Sequence, residues 1–299
     1  MNVRILIAGG SGFLGQKLSA KLADEGHRVQ TLTRRAGRTP DQIAWNPDGS
    51  AGTLPAHLEG ADAIVNLAGE NLAEGRWTAA RKVALVSSRV LSTRTLARAI
   101  AACAHPPRVF VSASAVGYYG PHGDEPVTEA TPAGSDFLAR ICVDWEQEAR
   151  AAESPLTRLA IIRSGVVLAR DGGALKKMLL PFRLGLGATV GSGMQYFSWI
   201  HAGDWTSLVS WLIASPAAAG AFNATAPAPV TNHTFTKTLG RVVGRPAILP
   251  APAFALHVAM GEMADMLLHG QRVMPVHAEQ LGFQFRYRAL EPALHSLHL

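Results

Sequence analysis

The segment Ile7–Leu18, "IAGGSGFLGQKL", constrains this chain more than any other stretch. Three glycine motifs compete for it. A nucleophile elbow needs glycine two positions either side of its serine, and Ser11 has Gly9 before it but Phe13 after it. A P-loop needs Lys and then Ser or Thr directly after the last glycine; Gln16 follows Gly15, and Lys17 comes one position late. The dinucleotide fingerprint fits in two registers, Gly10-x-Gly12-x-x-Gly15 and Gly9-x-x-Gly12-x-x-Gly15. It demands a tight turn, bare backbone facing a pyrophosphate, and close helix-on-strand packing at a helix N-terminus.

The flanks supply that context. Val3–Gly9 is a short apolar run, the pattern of a strand buried on both faces. Leu14, Leu18 and Leu22 then share one helical face, and Gly26 stands at a C-cap position. His27–Arg35 reads as a second strand, which completes a βαβ unit and implies a parallel, right-handed crossover. The alternation continues with a strand over Ala61–Gly69, a helix over Ala79–Ala102, a strand over Arg108–Ala115, a helix over Phe137–Ala152, and a strand with its exit loop over Thr157–Ala169. The expected fold class is α/β: a doubly wound parallel Rossmann sheet with a small C-terminal α/β substrate domain. Beyond Ala169 the texture changes to a glycine-rich stretch (Pro181–Gly193), a proline-studded connection (Ala224–Phe235) and a last helical segment (Phe254–Leu268). Residues 1–169 are expected to bind the cofactor. Residues 170–299 are expected to form a smaller substrate or lid region, interleaved with the sheet.

Composition narrows the partners. Only 17% of the 299 residues are charged and nearly half are apolar, which fits a compact globule. The net charge of +6 is scattered, with no basic run longer than Arg34-Arg35, so nucleic acid is not an expected partner. Two cysteines, Cys103 and Cys142, do not make a disulfide framework. Neither a signal-peptide pattern nor a spanning apolar run is evident, so the expectation is a cytoplasmic monomer or homodimer with a small-molecule substrate and no membrane. Cofactor choice rests on Thr33-Arg34-Arg35. An NAD site usually carries Asp or Glu near this point to hold the ribose 2′-hydroxyl, yet no acid occurs here until Asp41. An arginine pair suits a 2′-phosphate, so NADP(H) is expected.

With these features the chain resembles the extended short-chain dehydrogenase/reductases. More closely, it resembles their atypical branch labelled NAD(P)-dependent nucleoside-diphosphate-sugar epimerases. The likeness runs through "GGSGFLG", "VNLAGEN", "SSRV", "SASAVGYYG", "WEQEA", "RSGVVLA", "LLPFRLGLGATVGSGMQYFSWIHAGD" and "LGFQFRY". It implies that Gly9, Ser11, Gly12, Phe13, Leu14 and Gly15 meet the pyrophosphate and that Thr33, Arg34 and Arg35 meet the adenosine phosphate end. It also implies that Leu67, Ala68 and Gly69 line the adenine–ribose side, with Arg89 and Val167 beside the cofactor. Arg183, Gln195, Trp199 and His201 fall in the stretch where relatives grip a sugar nucleotide, and Asn71, just after the "NLAG" turn with Glu70, is a substrate-side candidate expected to face the nicotinamide.

One departure matters. Active relatives use Tyr with Lys four residues later, plus a Ser or Thr at the preceding strand end; the lysine helps the phenol exchange a proton. Ser114 fits the serine slot. Counting back from Glu146 puts Cys142 at the lysine place and Leu138 at the tyrosine place, and neither does that chemistry. Arg140, nearby, stays protonated and is no base. Substitute candidates are the phenols Tyr118 and Tyr119 and the carboxylate Glu70. His201-x-x-Asp204 reads as a strand-end hydrogen bond. His295 and His298 lack a third ligand in a rigid frame, so no metal is expected. Cys142, on an apolar helix face, reads as an inert thiol. Two functions of different class remain: an NADP(H)-dependent oxidoreductase or epimerase of a small polar or nucleotide-linked substrate, and a catalytically weak or silent NADP(H)-binding sensor or scaffold.

Overall fold

In a computed structural model, which describes residues 3–35 and 39–299, seven parallel strands form one sheet. They are β1 (Arg4–Ala8), β2 (Arg28–Thr33), β3 (Gln42–Ala44), β4 (Ala63–Asn66), β5 (Val109–Ala115), β6 (Arg158–Ser164) and β7 (Gly220–Ala224). Their order across the sheet is β3-β2-β1-β4-β5-β6-β7. The chain winds outward from β1 in one direction, then returns to β4 and winds in the other. The switch point between β1 and β4 is where an open α/β sheet leaves a crevice at its strand ends.

Helices cover both faces. On one, Leu18 and Leu22 of α1 (Phe13–Asp24) and Trp205, Leu208 and Val209 of α5 pack on Ile5, Ile7, Val111 and Phe222, where α5 spans Ala202–Ala214. On the other, Leu96 and Ile100 of α2 (Ala79–Ala101) and Ala149 of α3 (Phe137–Arg150) pack on Leu6, Ile64, Phe110 and Ile161. Strands apolar on both sides are what this double cover requires.

The C-terminal region has its own core. Leu175 and Leu179 of α4 (Gly173–Arg183) and Phe235 and Leu239 of α6 (Asn232–Val243) enclose Leu168 and Trp199 with Leu294. The chain nevertheless returns to the main sheet, since β7 pairs along β6 from Gly220↔Ala160 to Ala224↔Ser164. Where a single helix over Phe254–Leu268 is expected, three pieces occur: α7 (Ala253–Met260), a 3-10 turn over Gly261–Ala264, and a helical turn over Asp265–Leu268. Gly261 adopts φ +64°, outside the helical region, and breaks the run there.

Candidate functional site

The glycine turn lies at the switch point because the register puts it there. Ala8 pairs with Leu32 on one side and Asn66 on the other. Gly9, Thr33-Arg34 and Leu67–Gly69 therefore leave three adjacent strand ends together. Gly9 has φ +79°, and a Cβ on it would lie 2.7 Å from the Leu67 carbonyl group. A Cβ on Gly15 would strike the Gly9 carbonyl oxygen and the Gly10 backbone, so α1 can sit this close to β1 only through glycine. Gly12 N–H donates to Gly9 O (3.0 Å) and closes the turn. Gly12 is also the N-cap of α1 and offers no side-chain cap, which leaves the first turn's N–H groups for a ligand. Ser11 is exposed beside it. Leu14 tucks into the core, while the Phe13 ring lies where a Cβ on Gly172 would be. The loop entering α4 thus rests on the turn, and Lys17 pairs with Asp171 of that loop at 2.7 Å.

At the end of β2 the Thr33 hydroxyl accepts from the Arg35 N–H (3.3 Å), and both Arg34 and Arg35 are exposed. At the end of β4, Leu67 N–H donates to Ala8 O, and Ala68 N–H to the side chain of Asn66. Gly69 lies against Arg89, whose guanidinium would be 3.3 Å from a Cβ there. Arg89 is buried; it donates to Leu85 O (3.0 Å) and Glu70 O (2.8 Å) and lies over the Trp145 ring. Burial pulls its pKa down from the usual guanidinium value. Val167 lies on the short strand Val166–Leu168, half-buried, below the loop that carries Gly173.

The candidates for proton chemistry are engaged elsewhere. Ser114, Arg163 and Asn223 form one polar row straight across β5, β6 and β7. The Ser114 hydroxyl donates to Glu146 Oε1 (2.7 Å), and Arg163 holds the same carboxylate with two bonds of 2.8 Å. Arg163 and Glu146 are each 3% exposed. Burial lowers the Arg163 pKa, but its hydrogen bonds to Glu146 outweigh that and hold the guanidinium protonated well above its ordinary range. Tyr119 joins the network: its hydroxyl donates to Asn223 Oδ1 (2.6 Å) and accepts from Arg163 (3.0 Å). Burial pushes its phenol up to about 12, against the downward pull of Arg163. Tyr119 is therefore a fully enclosed structural group, not the free phenol that a proton donor requires. Tyr118 lies on the same guanidinium, 3.5 Å from ring centroid to Arg163 Cζ. Burial also pushes the Cys142 thiol up to about 12.

Glu70 is likewise tied: Arg81 pairs with its carboxylate at 3.0 Å and donates to Asn71 O at 2.7 Å. Asn71 turns its side chain back to accept from Ala73 N–H. Of the residues expected at the substrate end, Arg183 is exposed in the last turn of α4. The Gln195 amide donates to Val190 O and Leu267 O, and its buried oxygen has no hydrogen-bond partner among the described residues. Trp199 is wholly buried, packs in the core of the C-terminal region and donates its indole N–H to Ala228 O. His201 caps α5 by accepting from Gly203 N–H, while Asp204 accepts from Arg286 and Tyr287 N–H. Arg163 is not singled out in the sequence reading, and Glu146 serves there only as a counting point. The signal for Arg163 is an ionisable residue inside an otherwise apolar buried run, "LAIIRSG".

Comparison with known proteins agrees with this geometry. Residues 5–224 match the NAD dependent epimerase/dehydratase family, and residues 251–297 match a domain of unknown function, DUF1731. An epimerase family protein of Mycobacterium bovis is 43% identical over 295 residues, covering 98% of this chain and 97% of the relative. The crystal structure of human epimerase family protein SDR39U1 (isoform 2) with NADPH superposes with a TM-score of 0.92 at 38% identity, covering 98% of each chain. A structure described as the nucleoside-diphosphate sugar epimerase of Corynebacterium glutamicum gives 0.82 at 35% identity, over 99% of this chain and 58% of that one. The chain belongs to the NAD dependent epimerase/dehydratase family, as an atypical short-chain dehydrogenase/reductase of the SDR39U1 type.

Proposed function

We propose that this chain binds NADP(H) across the ends of β1, β2 and β4 and carries out oxidoreduction, or an epimerisation that passes through it, on a small substrate under the C-terminal region. The observation that carries the reading is the cradle: two glycines packed where no Cβ fits, an uncapped helix N-terminus, and exposed Arg34 one residue beyond the end of β2. The crystallised human relative, which contains NADPH, supports the phosphorylated cofactor. When bound, that group supplies a carbon that gives or takes hydride. The chain's own part is positional. The turn admits phosphate oxygens to backbone N–H groups, Arg34 meets the 2′-phosphate, and Arg89 places a buried positive charge behind Gly69. The Ser114 hydroxyl is held in one orientation by Glu146.

A second reading, NADP(H) binding without turnover, has its own support. Tyr119 is enclosed, Ser114 has committed its proton to Glu146, and Leu138 and Cys142 cannot exchange one. Calorimetry tests the shared part. A charge-assisted hydrogen bond contributes about 1.5–3 kcal/mol, so Arg34→Ala is expected to weaken NADPH binding about 10- to 100-fold and leave NADH almost unchanged. Equal affinity of the unmodified protein for NADH and NADPH overturns the cofactor assignment. Bound NADPH consumed on presentation of a carbonyl panel decides for turnover, and no consumption decides for the second reading.

A further inference from the structure

Helix α4 belongs by its packing to the C-terminal region. Leu175, Leu179 and Phe182 are buried in the core that also holds Trp199, Phe235 and Leu239. Its first turn nevertheless touches both edges of the cofactor crevice. On the side of β1, Gly172 and Gly173 lie on the Phe13 ring, so closely that a Cβ on Gly172 would overlap it. On the side of β4, Lys177 donates to Ala73 O (3.1 Å) in the loop that follows that strand. Gly173 and Lys177 are one helical turn apart, about 6 Å along the axis. A single turn of helix and one lysine side chain therefore span the gap between the glycine turn and the loop after β4.

The contacts that hold this span differ in kind from those that hold the helix in its core. Lys17 Nζ lies 5.4 Å from the centre of the Phe13 ring and 2.7 Å from Asp171, just before α4, whose side chain is 66% exposed. Along the β4 edge, Arg76 donates to Val258 O and Ala259 O, and Lys82 pairs with Glu262, which is 61% exposed. Exposed pairs of this kind shift an equilibrium by about fivefold at most. Parting the first turn of α4 from Phe13, Lys17 and Ala73 gives up one ring face and two exposed polar contacts. Pulling α4 out of its core would instead uncover Leu175, Leu179 and Phe182 together. The weak seam therefore runs between α4 and the crevice edges. Gly172 and Gly173 stand at that seam, Gly173 with φ +66°, so the backbone there can change its dihedrals without a side-chain clash.

We propose that the first turn of α4 is a gate on the cofactor crevice. It closes across the mouth in this structure, and NADP(H) enters and leaves when it parts from the two edges while keeping its place in the C-terminal core. This rests on the reading that NADP(H) occupies the crevice. A gate has a kinetic signature that a cofactor contact lacks. Loosening it raises the rates of entry and exit alike and leaves the dissociation constant nearly unchanged, whereas removing a contact to the cofactor acts mainly on exit. The test is stopped-flow fluorescence on the full chain. NADPH mixed with free protein gives the entry rate, and NADPH-loaded protein chased with excess NADP+ gives the exit rate. Asp171→Ala and Lys177→Met, both at exposed positions, are each expected to raise both rates about two- to fivefold, with the dissociation constant changing less than about twofold. Arg241→Ala, which removes an exposed pair with Glu291, is expected to change neither rate. Entry and exit rates unchanged in both gate variants overturn the proposal, as does exit that quickens in both while entry does not. The cofactor reading fails separately, by absence of NADPH binding to the unmodified protein.

Discussion

Arg163 ties together several groups buried between β5, β6 and the helix that carries Glu146. Its guanidinium takes both oxygens of Glu146, donates to the Tyr119 hydroxyl and lies on the Tyr118 ring, all inside the protein. Removing one member of a buried ion pair leaves the other charge uncompensated, at a cost of about 3–5 kcal/mol. Arg163→Leu is therefore expected to lower the urea midpoint markedly, whereas Arg150→Ala, which removes only a distant exposed partner of Glu146, is expected to leave it nearly unchanged. Tyr119 makes a separate pH prediction. Its phenol titrates near 10 when unfolded and is pushed up to about 12 in the fold. Between these values the folded state binds more protons than the unfolded one, so stability falls as pH rises through this window and is fully present below it. Denaturation at pH 9 to 12 is expected to show this loss in the unmodified protein and a smaller one in Tyr119→Phe. A flat profile in the unmodified protein would contradict the enclosed phenol.

At the scale of elements, the turn between β1 and α1 is the tightest junction. Gly9→Ala would force a side chain into a left-handed backbone, at about 1–2 kcal/mol, and against the Leu67 carbonyl. Loss of NADPH binding together with a lower melting temperature is the expected result; an unchanged affinity would mean the cofactor does not approach this backbone. This junction was legible in the sequence because everything it needs is local: a buried run, spaced glycines and one amphipathic helix. The polar row was not legible. Ser114, Arg163 and Asn223 lie far apart in the chain and become neighbours only through strand register, while Glu146 arrives from a helix. The burial of Trp199 and Tyr119 was not legible either, since a large amphipathic ring reads alike in a core and in a site. The helix expected over Phe254–Leu268 split at a glycine whose positive φ no periodicity announces.

Across the whole molecule, the cofactor crevice is bordered by parts that belong to both regions of the chain. Phe13 lies under Gly172, Lys17 pairs with Asp171, Lys177 and Arg76 tie the loop after β4 to α4 and α7, and Lys82 pairs with Glu262. Ligand entering the crevice is expected to slow amide exchange in residues 70–78 and 173–193 together, because the same contacts clamp both. Exchange that slows around the glycine turn alone would show that the C-terminal region does not close on the ligand.

The seventh strand has a consequence for how such proteins can be recombined. Gly220–Ala224 comes from the C-terminal part of the chain but completes the sheet of the N-terminal part, and its Asn223 closes the network that holds Tyr119. A chimera that takes everything after Ala169 from a relative also imports a foreign edge for β6, with a foreign partner for Tyr119. Segments of the C-terminal region could be exchanged between relatives without disturbing the sheet only if the native Gly220–Ala224 strand were retained. Swapping the halves at the apparent seam would instead leave a sheet whose last row no longer matches its neighbours.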